Sequence, residues 1–237
     1  MQVRLEKVSF SYAKKGKDVL HECSFVFESG RFYAILGPSG IGKTTLLRLI
    51  AGLEDYSGRI YLDERAAEGI SVKDRGLAYL TQTYALYPRK TLFENIAYPL
   101  RLQDLPVDEI KRRVYEIAEP FGLLDALSRR PAQVSGGQQQ KTALARALVK
   151  RPSLGLFDEP FSNLDVSSRD SIRPILKQVA GDFGMTVLYV THDVKEALAL
   201  ADEVLLLDEK GLRSLGDPLA IAQSSDPKTM AFLEGMD

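Results

Sequence analysis

Hydrophobic positions near the start of the chain recur at every second residue: Val3 and Leu5, then Val8, Phe10 and Tyr12, and later Cys23, Phe25 and Phe27. Side chains two apart share one face of a strand, so both stretches predict strands with a covered face. The segment KKGKD, 14 to 18, predicts the exposed turn between them. Next comes a short apolar run, RFYAILG, ending at Gly37, and beyond a glycine-rich loop TTLLRLIAGL has helical apolar spacing and a closing glycine. Residues 59 to 63 and GLAYLTQ at 76 to 82 predict further strands joined by a polar link.

The pattern changes from about residue 92 to 151. LFENIAYPLRL, VDEIKRRVYEIAEPFGL and GGQQQKTALARALVKR have helical spacing, with breaks at Pro106, Pro131 and the turn at 135 to 137. This block reads as a helical insert. Strand and helix then alternate again: SLGLFDEP, a helix near 167 to 180, TVLYVTH, a helix near 194 to 201, and EVLLLDEKGLRSLG as a hairpin. Short apolar runs alternating with amphipathic helices favour an α/β fold, a largely parallel sheet covered on both faces. No internal repeat or low-complexity tract is evident.

The totals narrow the classes of function. With 237 residues, 45% hydrophobic and 27% charged, the chain is long enough for a substantial core and has the make-up of a globular protein. Lys and Arg number 31 against 32 Asp and Glu, a net charge of −1, so charge suggests no nucleic-acid partner and no polybasic membrane anchor. The single cysteine, Cys23, excludes an internal disulfide and a cysteine cluster for zinc, and fits a reducing compartment. MQVRLEKVSF has no apolar run after its basic residues, so no secretory signal is expected. No window approaches the roughly 18 apolar residues of a membrane-spanning helix, so work at a membrane would need another chain to supply the membrane part.

Candidate chemistry concentrates first in GPSGIGKTT: Gly37, Pro38, Ser39, Gly40, Ile41, Gly42, Lys43, Thr44 and Thr45. Strand, glycine loop and helix follow in the order a phosphate-binding loop requires. Glycines let backbone N–H groups converge on phosphate oxygens, and the following helix turns its positive end to the same place. Lys43 can then reach the outer phosphates, and the Thr44 hydroxyl is placed to bind Mg²⁺. Such a site needs anionic oxygen for the cation and a group to orient water. SLGLFDEP ends an apolar strand in two carboxylates that cannot point the same way, Asp158 for the metal and Glu159 for the nucleophilic water. Gly155 is unusual inside that strand because it gives up side-chain packing. His192, one of two histidines, ends another predicted strand, where ligands of parallel sheets bind; alone, a histidine is more often structural than catalytic.

VSGGQQQKTALARAL, 134 to 148, resembles the signature helix of ABC-type ATPases. The likeness spans essentially the whole chain: GPSGIGKT, Gln82 in LTQTYALYP, SGGQ, LFDEP, SNLD at 162 to 165, and His192 stand in the family's order. It implies a P-loop NTPase (RecA-like) fold, a mostly parallel sheet with an N-terminal antiparallel β region and an α-helical subdomain insert. The whole of 1–237 would be one ABC ATPase domain, with 1–91 and 152–237 as nucleotide-binding core and 92–151 as the helical subdomain.

It also implies roles. Tyr12 would stack on adenine, and Gln82 would touch Mg²⁺ and water and lead into the coupling region. Ser135, Gly136 and Gly137, with Gln138 beside them, would bind the γ-phosphate of ATP held by the opposite subunit. Asp165 would sit at the dimer contact and His192 would bridge to the γ-phosphate. Val134 replaces the usual leucine, a small apolar change. A serine and two glycines opening a helix offer hydroxyl and N–H groups to an anion, though an ordinary helix cap has the same form.

The family likeness implies an ATPase with ATP and Mg²⁺ that works as a head-to-tail homodimer, or as a heterodimer with a similar ATPase. It would lie peripherally on the cytoplasmic face of the cell membrane against integral permease subunits. TQTYALYPRKTLFENIAYPLR resembles the same stretch in importers of sugars, polyamines and ferric iron, which favours import with an extracytoplasmic solute-binding protein. Tyr84, Leu86 and Tyr87 are then candidates for docking the membrane partner, or for local packing. Many sugar-importer ATPases continue into a C-terminal regulatory domain; the sequence ends soon after GDPLAIAQSSDPKTMAFLEG, because the member lacks that domain or because the chain is cut. The alternatives are an exporter ATPase subunit, a soluble ABC ATPase acting on nucleic acid or ribosomes, and a regulatory binder that does not hydrolyse ATP. The second would carry a long coiled-coil insert, tandem cassettes or zinc cysteines, none of which is present, and the third is opposed by Lys43, Glu159 and His192 together.

Overall fold

The structure, a computed structural model, describes residues 1–12, 19–83, 85–162 and 164–223. KKGKD at 14 to 18, Tyr84 and Asn163 lie outside the described residues. The described chain forms two compact units. One comprises Met1–Leu77, Ser153–Glu159 and the described residues from Ala180 onward; the other comprises Ala78–Pro152 and Pro160–Val179.

The first unit opens with an antiparallel sheet. β1 (Val3–Phe10) lies between β2 (Leu20–Phe27) and β4 (Ser57–Leu62), with the two-residue β5 (Arg65–Ala66) beside β4. The slip in the N-terminal pattern, where the apolar positions step from Leu5 to Val8 and pass over Lys7, has a structural cause. The pairing of β1 with β2 shifts between Leu5 and Val8, and Lys7 takes a left-handed φ of 47°. This bulge turns Val8 back to the covered face, so Val3, Leu5 and Val8 are all buried.

The second sheet of this unit carries the site. Its strands run β10 (Gly211–Gly216), β9 (Glu203–Asp208), β3 (Phe32–Leu36), β8 (Thr186–Val190) and β7 (Leu154–Asp158). β9, β3, β8 and β7 are parallel neighbours, and β10 folds back antiparallel on β9 as the predicted hairpin. Every residue of β3, β7 and β8 is buried, the mark of parallel strands covered on both faces. Gly155 is explained here: a Cβ at that position would meet the Phe157 ring at 2.9 Å and the Met185 methyl at 3.2 Å. The missing side chain makes room for that ring. α1 (Lys43–Ala51) follows β3 and ends at Gly52, whose φ of 78° closes the helix. α6 (Val194–Leu200) covers the sheet near β3, where Ala34, Leu36, Ala197, Ala201, Val204 and Ile221 form a core cluster; Ile221 comes from α7 (Pro218–Ala222).

β6 (Leu77–Leu80) carries the chain from the first unit into the second, which is mainly helical: α2 (Leu92–Arg101), α3 (Val107–Ala118) and α4 (Gly136–Leu148). α5 (Val166–Asp182) begins in this unit and returns the chain to the first. Thr91 and Glu94 cap α2 reciprocally, each side chain bonding the other's backbone N–H. Asn95, fully buried, fixes the loop before α2. Its amide donates to the carbonyls of Tyr87, Lys90 and Thr91, and its Oδ1 accepts from the Tyr87 N–H at 2.8 Å.

Candidate functional site

In a parallel sheet the C-terminal ends of the strands lie along one edge. The register sets Ile35 of β3 and Asp158 of β7 opposite the same residue of β8, Val190. The loop 37–42 leaves β3, the acidic pair ends β7, and His192 follows β8, so all three reach one edge.

The loop rests on buried feet and presents an exposed tip. Gly37 and Gly42 are buried, while Pro38, Ser39 and Gly40 are exposed. Glycine is required at both feet. A Cβ on Gly37 would lie 2.3 Å from the Leu207 carbonyl oxygen, and Gly42 has φ 109° with Val19 2.9 Å from the place of a Cβ. Lys43, buried, turns its ammonium into the loop and donates to the carbonyls of Gly37 at 2.6 Å and Pro38 at 3.0 Å. Burial lowers its pKa, opposed by the charges of Glu159 and Asp158. A partly desolvated cation at a helix start, beside backbone N–H groups without helical partners, is built to receive an anion.

Thr44, exposed, donates its hydroxyl hydrogen bond to Asp158 Oδ1 at 3.0 Å. Burial raises the Asp158 carboxyl pKa; the Thr44 hydrogen bond lowers it, the Glu159 charge adds to the rise and Lys43 opposes it. One hydroxyl and one carboxylate suit Mg²⁺, which keeps several waters and completes its shell with substrate phosphates. No group of three or more His, Cys, Asp or Glu among the described residues forms an all-protein cage.

Glu159 adopts a left-handed φ of 46° and donates its N–H to the Val190 carbonyl at 2.9 Å. That backbone turn separates its side chain from that of Asp158, and its Oε2 lies 3.3 Å from His192 Nδ1. The His192 side chain is 59% exposed and that of Glu159 26%, so both can meet a solvent-borne ligand. Tyr12, 68% exposed, shares a hydrogen bond with the Thr45 hydroxyl at 3.0 Å and stands edge-on to Phe10 with ring centroids 4.8 Å apart. Tyr12, Val19, Ser39, Gly40, Thr44 and Glu159 are among the residues lining a cavity of about 460 Å³.

The remaining expected residues belong to the second unit. Gln82 is exposed in the turn after β6. Ser135, exposed, caps α4: its hydroxyl accepts from the Gln138 N–H at 3.3 Å, and the Gln138 side chain accepts from the Ser135 N–H at 3.2 Å. Gly136 is exposed, with open space where a Cβ would stand, and a Cβ on Gly137 would lie 3.3 Å from Ser168 Oγ. Asp165 accepts from the Ser168 N–H at 2.9 Å and from its hydroxyl at 2.8 Å, and the backbone bond is the main cause of its lowered pKa. Ser168, which sequence reasoning missed, thus stands beside both Asp165 and the start of α4. Tyr87 is 40% exposed and packs beside Tyr98, with centroids 4.8 Å apart, under the Arg146 guanidinium.

Residues 20–162 match the family model described as ABC transporter. The chain is 45% identical over 206 residues to the trehalose/maltose import ATP-binding protein of Thermococcus litoralis, covering 84% of this chain and 55% of that protein. It is 47% identical over 212 residues to the glucose import ATP-binding protein of Saccharolobus solfataricus, covering 86% of this chain and 60% of that protein. The chain therefore spans a little over half the length of these curated relatives. Among solved structures it resembles the ATP-binding cassette MJ0796, determined as a dimer in a post-hydrolysis state with ADP and Pi, at 29% identity and a TM-score of 0.78, covering 90% of this chain and 98% of that one. A family model matching most of the chain, relatives this similar, and a phosphate loop facing an acidic strand end lead to one conclusion: the chain belongs to the ABC transporter family.

Proposed function

We propose that the chain is an ATP-hydrolysing subunit that drives solute import through separate integral membrane permease subunits. The observation that carries the ATPase reading is the set of Lys43, Thr44 with Asp158, and Glu159 with His192 along one sheet edge at the phosphate loop. Relatives whose names are those of sugar import ATP-binding proteins support the import reading.

In this reading the loop 37–45 holds the β- and γ-phosphates of ATP, and Tyr12 offers its ring to adenine. Lys43 exchanges its two loop carbonyls for phosphate oxygens. Thr44 and Asp158, with Gln82 as a further ligand, would hold Mg²⁺, and the ion would supply positive charge to the transferring phosphoryl group. Glu159 accepts a hydrogen bond from the attacking water, aligning it with the γ-phosphorus, and His192 bridges from Glu159 to a γ-phosphate oxygen. Water forms the new P–O bond as the bond to the β-phosphate oxygen breaks, giving ADP and phosphate. Catalysis of this kind is positioning and electrostatic stabilisation.

Ser135, Gly136 and Gly137 face an anion held by another subunit, with Gln138 and Asp165 fixing that surface. Two copies, or this chain and a similar ATPase, then pair head to tail, each completing the other's site. The pair lies peripherally on the cytoplasmic face of the membrane, and an extracytoplasmic protein delivers the solute. The first test is Glu159→Gln, which keeps the shape of the side chain and removes its charge. ATP binding stays within about threefold while turnover falls by about 100-fold or more; unchanged turnover would reject the role of Glu159. Recovery of the protein from native membranes with a permease and a solute-binding protein supports import, and recovery with a permease alone points to export.

A further inference from the structure

His192 is held by neighbours that the proposed chemistry leaves unused. The linker between β8 and α6 is three residues long, Thr191, His192 and Asp193. Thr191 and Glu196 are buried, at 2% and 3% exposure. The Thr191 hydroxyl donates to Glu196 Oε2 at 2.7 Å and accepts from the Asp193 N–H, the amide directly after His192, at 3.1 Å. Asp193 in turn accepts from the Glu196 N–H at 3.0 Å, and the Thr191 N–H donates to the Ile35 carbonyl at 3.3 Å.

The backbone on both sides of His192 is therefore fixed, one side to β3 and the other to a buried carboxylate through a single hydroxyl. A buried carboxylate is costly to retain unless hydrogen bonds satisfy it, and a closed set of such bonds specifies one geometry. That geometry leaves the imidazole outside, 3.3 Å from Glu159. Capping α6 needs Asp193 alone; neither the buried hydroxyl nor the carboxylate behind it is required for a cap.

We propose that Thr191 and Glu196 form a clamp that positions His192 against Glu159 for ATP hydrolysis. They are positioning residues, acting through His192, and the proposal rests on the ATPase reading given above. Small displacements of an aligned group lower the rate of the chemical step with little effect on binding.

The test is steady-state ATPase turnover of the purified chain carrying Thr191→Val, Thr191→Ser, Glu196→Gln or Glu196→Leu, with Thr191→Val also made beside His192→Ala. Thr191→Val should lower kcat about tenfold with KM for ATP within about twofold, while Thr191→Ser, which keeps the hydroxyl, stays near the starting rate. Glu196→Gln retains an accepting oxygen and should stay within about threefold, whereas Glu196→Leu should match Thr191→Val. Beside His192→Ala, Thr191→Val should have no further effect, because the residue it positions is gone. The same tenfold loss in both backgrounds, or equal losses from Val and Ser at 191, would overturn the clamp. A slow His192→Ala with a normal Thr191→Val would overturn the clamp and leave the ATPase reading intact. Unchanged turnover in His192→Ala would overturn the assigned role of His192 and the clamp together.

Discussion

Around Lys43 the polar groups bind one another across distant parts of the chain, whereas around Ser135 they fold back on their own helix start. Thr44 reaches Asp158, and Glu159 reaches His192, over sequence separations that only a packed sheet can close. Ser135 and Gln138 satisfy each other three residues apart, and Asp165 is satisfied by Ser168, also three residues on. The first arrangement surrounds a cavity and supplies a buried ammonium, a hydroxyl bonded to a carboxylate, and a second carboxylate beside an imidazole. The second leaves an exposed glycine at a positive helix end. A region can thus be locally complete as structure and, in the proposed function, still be only half of a binding site.

Three substitutions separate the two regions. Lys43→Ala should weaken ATP binding by about 10 to 100-fold and abolish turnover, since it removes the charge that the loop encloses; titration with a fluorescent nucleotide measures it. Gly136→Asp should fold normally, because the space beside Gly136 is open. By placing a carboxylate where an anion would dock, it should cut turnover by about 100-fold while ATP affinity of the chain stays within about threefold. Loss of binding in this variant would show that the second region serves the first within the same chain. Gly155→Ala should mainly affect stability, by about 1 to 3 kcal/mol in denaturant unfolding, because its methyl would press on Phe157 and Met185.

Much of the first region could be read from sequence because its chemistry is contiguous. The loop 37–45 is a single word, and the strand that ends in Asp158 and Glu159 announces itself by the apolar and small residues before the carboxylates. The break from Leu5 to Val8 also carried information, since a bulge is the ordinary way for a strand to lose one step and keep its face. What was hidden depended on folding. Gly155 looked like a defect until Phe157 was seen to fill its place. Thr191 and Glu196 read as a strand end and helix filler, although an aspartate followed three residues later by glutamate is a helix-start pattern that could have drawn attention to them. Ser168 carried no signal, because its role exists only where α5 meets the start of α4.

In the proposed function one chain's phosphate loop works with another chain's signature helix, and mixing the two defective variants distinguishes this from a site built by one chain. Lys43→Ala has a sound signature and Gly136→Asp a sound loop, so a mixed pair contains one intact site if the halves come from different chains. ATP turnover in the mixture should lie well above the sum of the two variants measured separately. Turnover no greater than that sum, with mixed pairs shown to form, would mean that each chain builds its site alone and would rule out a shared site.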